Sequence, residues 1–191
     1  MNRLDQMEVL HQWLEEPETQ EKLHLCIQKA IEKVKADTSL RIPRTKEERQ
    51  GAFSVWLSSY RLKLGPELQE QFRQQFPGVT QRFKDPNTIK RIVETKIWPD
   101  VEAVLRSYAV RGLASDWVRS HMRDAVLVGK PDFRDDTWNV PLAVANVGEH
   151  LGYVALDKSG NVIEPLTSSR DALLRAVHDR KLPAVAAGAG Q

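Results

Sequence analysis

Basic residues crowd two stretches of this chain at spacings that could neutralise phosphates. Arg41, Arg44, Lys46 and Arg49 flank one expected helix start, and Arg82, Lys84, Lys90, Arg91 and Lys96 surround another. Residues 41–96 hold twelve Lys/Arg against six Asp/Glu, whereas residues 1–40 hold five against eight, so the net charge of +2 conceals a positive middle. Brought onto one stripe of a helical bundle, these cations would release counterions from DNA or RNA. Arg106, Arg111, Arg119 and Arg123 could extend the stripe. Interleaved Asp and Glu dilute it, and an ordinary solvated helix surface accounts for the same residues.

Other chemistry has less to stand on. A metal-dependent nuclease would pair carboxylates with a lysine at E-x-K spacing; Glu94-Thr95-Lys96 has that spacing but falls in a helical pattern ahead of Pro131-Asp132. Asp132, Asp135 and Asp136 could attract a divalent cation, yet no calcium-hand spacing surrounds them. The histidines His11, His24, His121, His150 and His178 are scattered and share no zinc spacing. No G-x-S-x-G elbow and no glycine-rich phosphate loop occurs. Cys26, the single cysteine, sits beside an apolar stripe and reads as a buried thiol. No cofactor, metal site or catalytic residue is therefore expected.

The elements that would carry these residues are helical up to about Gly129. Hydrophobic residues at 41% and charged residues at 28% suit a folded chain. Apolar residues recur at helical spacing in residues 3–15 and again in 17–36, where Pro17 and Glu18 suit a first turn. Thr45 to Glu48 reads as a capping box opening a strongly apolar helix through Phe53, Val55, Trp56, Leu57, Tyr60 and Leu64, the expected central core helix. Gly65-Pro66 is expected to end it and start another, which Pro77-Gly78 stops. Asp85-Pro86 starts the next, Trp98-Pro99 should break or kink it, and Gly112 followed by a Ser115 cap should open one more.

After a loop at residues 129–136 the pattern changes to period two. Trp138, Val140, Leu142 and Val144 alternate as one face of a strand, and Pro141, which cannot donate to a ladder, places that strand at a sheet edge. Residues 152–156 and 161–164, separated by the turn Asp157 to Gly160, supply two more strands before a final helix capped by Ser168 or Ser169. The expectation is an α+β protein: a helical domain at residues 1–128, a three-stranded antiparallel meander with a C-terminal helix at 129–182, and a disordered tail at 183–191.

The run Trp138-Asn139-Val140-Pro141, then Gly152 to Asp157, then Gly160 to Ile163 resembles the β-meander of PepSY-type modules. The resemblance covers roughly residues 115–165 and implies a non-catalytic module associated with peptidases or other protein partners. Residues 1–110 carry no such likeness.

Met1 to Glu16 lacks the layout of a secretion signal, and no apolar run approaches the roughly 20 residues that cross a bilayer. The chain reads as cytoplasmic and not membrane-bound. Five tryptophans and the edge strand of Trp138, Val140, Leu142 and Val144 point to a protein-interaction or scaffold role, with homo-oligomers as one form of it. Nucleic acid is the alternative partner, through the nine basic residues above, and a metal-dependent nuclease comes last.

Overall fold

The computed structural model describes residues 3–44, 52–83, 85, 87–122, 126–144 and 148–181. The expected capping box at Thr45 to Glu48 and the tail at 183–191 lie outside these residues. The protein is α+β, and among the described residues no helix is long and apolar enough to cross a membrane. The chain divides into two compact units, residues 1–41 with 54–105 and residues 42–53 with 106–191. That division falls earlier than residue 128, where the hydrophobic period changes, because the last part of a long helix belongs with the sheet.

The first unit holds α1 (Arg3–Glu15), α2 (Pro17–Ala36), most of α3 (Ala52–Gln75), α4 (Val79–Phe83), α5 (Thr88–Ile92), a π-helical segment (Val93–Ile97) and the start of α6 (Trp98–His121). Pro17 opens α2, where its missing N–H costs no helical bond, and Thr19, Leu23, Cys26, Ala30 and Val34 form the buried stripe. Burial pushes the Cys26 thiol up, with Lys29 opposing, which fits an inert core thiol. The core centres on aromatics: the rings of Trp13 and Phe76 meet edge to face at 5.2 Å, and those of Phe72 and Phe76 lie 4.6 Å apart.

Asp37 terminates α2 and fastens it to α3. One carboxylate oxygen accepts from the Ser39 amide (2.9 Å) and hydroxyl (2.5 Å), the other from the Tyr60 hydroxyl (2.6 Å) and Lys63 (3.1 Å). These donors, led by the Ser39 and Tyr60 hydroxyls, hold the carboxyl well below its ordinary value of 3.8. A depressed folded-state pKa means stabilisation that is complete above the ordinary value and lost as pH falls through the folded one. Urea midpoints of wild type and Asp37→Asn should therefore differ at pH 6 and converge as the pH drops below 3.8; a gap independent of pH would sink this account.

Two expected helix breaks are absent. α3 runs on through Gly65-Pro66, with Pro66 inside the helix. Gly65, having no side chain to meet the proline ring, is what lets the helical conformation persist ahead of Pro66. The expected break at Trp98-Pro99 becomes the π segment instead. Trp98 itself is helical (φ −56°, ψ −40°), and the wider turn before it relieves the clash of the Pro99 ring with the preceding turn. The same extra residue keeps Ile89, Ile92 and Val93 on one buried face with Val101 and Leu105, which a regular helix turning about 100° per residue would carry apart.

α6 likewise continues past Gly112 and Ser115, and the Ser115 hydroxyl bonds back to the Arg111 carbonyl rather than capping a new helix. Gly112 is there for space, since a Cβ would collide with the Cδ1 of Ile42.

The second unit contains the end of α6, a four-stranded antiparallel sheet and α7 (Arg170–Lys181), which packs on the sheet. Its strands are β1 (Val126–Val128), β2 (Asp132–Arg134), β3 (Thr137–Val144) and β4 (His150–Leu156). β1 and β2 both pair with one side of β3, and β4 with the other. The expected edge strand is thus the central one. Pro141 fits because its carbonyl accepts from Gly129 (2.8 Å) in the connection between β1 and β2, so its missing N–H faces that same interruption of the ladder.

The residues assigned to a loop at 129–136 include β2, and Asp135 and Asp136 (φ 48° and 61°) form the two-residue turn into β3. The third expected strand is also different. Val162 makes a single bridge to Leu156, and Pro165 then turns the chain into a short 3-10 helix at Glu164–Leu166. The backbone of β4 is instead met by hydroxyls, with Thr167 accepting from the Ala155 amide (3.1 Å) and Ser168 from the Tyr153 amide (3.0 Å). Ser169 caps α7 by accepting from the Ala172 amide.

Candidate functional site

A groove of about 410 Å³ runs between α3 and the helix that contains the π segment, within the first unit. Its apolar walls come from Leu62, Pro66 and Leu68 on α3 and from Val93 and Trp98 opposite, and Ser58, Gln69 and Lys90 also line it. Leu62 is 79% exposed and Val55, two turns earlier on the same helix, 66% exposed. Neither side chain contributes to the core, and both present hydrocarbon to water.

Both irregularities of the first unit's helices line this groove. Pro66 offers no N–H to the Leu62 carbonyl, so a backbone acceptor loses its helical donor on one wall. On the other wall Val93 and Glu94 belong to the π turn, and Trp98 follows it directly. Each departure costs stability relative to a regular helix.

Charge at the groove is mostly paired. The Arg61 guanidinium forms an ion pair with Glu94 at 3.3 Å and lies over the Trp98 ring, 5.9 Å from its centroid, while the Trp98 indole N–H donates to Glu102 at 2.9 Å. The Arg61–Glu94 pair is 45% and 38% exposed, a setting in which such pairs contribute about 0–1 kcal/mol, so it orients the wall more than it stabilises it. Lys90 is exposed and has no ion pair among the described residues.

The basic residues expected to bind nucleic acid are spread over both units. Lys46, Arg49 and Lys84 lie outside the described residues. Arg41, Arg82, Lys90, Arg91 and Lys96 belong to the first unit and Arg44 to the second. Arg82 is held by Glu16 (3.5 Å) and lies over the Trp13 ring, Arg91 is held by Asp85 (3.4 Å), and Arg44 by Asp116 (3.4 Å). The arginines are thus largely spoken for by local carboxylates.

The residues expected to bind protein along an edge strand are interior ones. Val140 and Leu142 have no exposure, Val144 is buried, and the ring of half-buried Trp138 packs at a tilt against that of Phe133 with centroids 4.7 Å apart. With both sides of β3 paired, strand addition there has no free ladder to use.

Among the described residues no group of three His, Cys, Asp or Glu side chains could hold a metal. Glu94 of the E-x-K stretch is engaged by Arg61, Asp132 pairs with Arg134 at 2.6 Å, and Asp136 pairs with Lys158 at 2.8 Å. The groove itself escaped the sequence reading, although a signal was present. The segment from Phe53 to Leu64 has more apolar residues than one buried stripe can use, and Val55 and Leu62 are the surplus.

Comparison with protein-family models, with curated proteins and with solved structures finds no match.

Proposed function

We propose that this protein is a non-catalytic binding module for another protein, which it engages through the groove between α3 and the π segment. The observation that carries this reading is the coincidence of three features on one surface: exposed Leu62, the proline-interrupted turn of α3 and the π turn opposite. Irregular turns in otherwise regular helices concentrate where function demands them. An apolar groove between helices is also a common seat for a partner's side chains. The likeness of residues 115–165 to a PepSY-type meander points to the same class of role.

A photo-crosslinking amino acid at Leu62 should yield a discrete protein adduct in cells that make this protein. The same group at Leu25, which is 42% exposed on α2 and outside the groove, should not. Equal labelling from both positions, or none from Leu62, would overturn the proposal. Leu62→Asp should abolish the adduct while leaving the melting temperature within a degree or two, since changes at exposed positions shift stability by about 0.5 kcal/mol or less.

Nucleic acid is the second reading, favoured by Lys90 and Lys96, which hold no carboxylate among the described residues. Arg44, Arg82 and Arg91 each pair with a local carboxylate that competes with a phosphate, so any affinity for DNA or RNA should be weak and vanish by physiological salt. Tight binding that survives 150 mM salt, an ionic strength at which charges are screened over about 8 Å, and that fails in Lys90→Glu with Lys96→Glu would promote this reading over the first.

A further inference from the structure

We infer that the groove takes a short amphipathic segment of a partner protein that sets apolar side chains against Leu62 and Pro66 and a carboxylate beside Lys90. This rests on the protein-binding reading above. From Ser58 to Gln69 the α3 wall is about 17 Å long at 1.5 Å per residue, enough for two to three turns of a partner helix or five extended residues. Exposed Leu62 supplies the hydrophobic contact.

Charge decides what must flank it. Glu94 is already neutralised by Arg61, and Arg61 is fixed further by the face of Trp98, so this pair presents no net charge to a ligand. Among the described residues Lys90 is the charged group of the groove that has no ion pair. A partner that covers Lys90 with hydrocarbon strips water from an ammonium and returns nothing, and a basic partner adds repulsion. A carboxylate restores the lost solvation with a charge-assisted hydrogen bond. The groove therefore discriminates by sign of charge as well as by hydrophobicity.

The test is selection of random twelve-residue peptides on the immobilised full chain, with the Leu62→Asp chain as counter-selection. Peptides that survive should combine apolar anchors with Asp or Glu. Lys90→Glu should weaken them about tenfold, corresponding to about 1.4 kcal/mol, and the same peptides with Lys in place of the acidic residue should recover binding to that variant. Both substituted positions are exposed, and unchanged circular dichroism and melting would confirm intact folds.

Leu62-dependent peptides with no acidic bias, or with equal affinity for Lys90→Glu, would overturn the inference and leave the protein-binding reading standing. Absence of any Leu62-dependent peptide would overturn both.

Discussion

Truncating Phe72 to alanine lowers the unfolding free energy of the first unit by about 3–5 kcal/mol. The ring has no exposure, lies 4.6 Å from that of Phe76, and belongs to the same core as Trp13, Leu68 and Leu105. Alanine would remove most of a phenyl ring and leave a void that α1, α2 and α3, anchored by their own buried stripes, cannot close. Whole domains are stable by only about 5–15 kcal/mol, so a loss of this size takes a large part of the total. Urea unfolding followed by tryptophan fluorescence measures it, and a loss below about 1 kcal/mol would show that Phe72 is not packed as described.

Gly160→Ala should cost the second unit about 2–5 kcal/mol, from two causes that a control separates. Gly160 has φ 79°, where an L side chain costs about 1–2 kcal/mol. The new Cβ would also lie 2.5 Å from Cε2 of Phe53 and 2.6 Å from Cδ1 of Leu113, both buried, and overpacking of this kind adds about 1–3 kcal/mol. Gly148 has nearly the same backbone (φ 70°) but nothing within 4 Å of where a Cβ would lie. Gly148→Ala should therefore show the backbone cost alone. If the two variants lose equal stability by thermal melting, the contact with Phe53 and Leu113 carries no weight.

The helices of the first unit were legible because their buried faces repeat at three and four residues, as in Leu23, Cys26, Ala30 and Val34. Their continuity was not. Gly65-Pro66 and Trp98-Pro99 read locally as boundaries, yet packing on both sides of each proline holds the chain helical and lets one turn absorb the strain. The sheet shows the same limit. Alternation located β3 and β4 to within two residues, but placing β3 at an edge followed a rule about Pro141 that holds only where the neighbouring ladder is continuous. β2 was missed because Asp135-Asp136 makes a tight turn without the glycine that announces one. The groove was beyond reading as a site, since its two walls are about thirty residues apart in sequence and only Leu62 and Val55, as unused apolar residues, hint at it.

The hydroxyls along β4 have a consequence for the life of the protein outside its fold. Thr167 and Ser168 take up the Ala155 and Tyr153 amides, and the Ser168 amide donates to the Tyr153 carbonyl. Side chains thus occupy the positions that a neighbouring molecule's strand would need for edge-to-edge polymerisation, on a strand as apolar as His150–Leu156. The pairing is local and lies within residues 150–169. That edge of the sheet is closed to strand addition by a threonine and a serine that ordinary β-propensity would never have singled out.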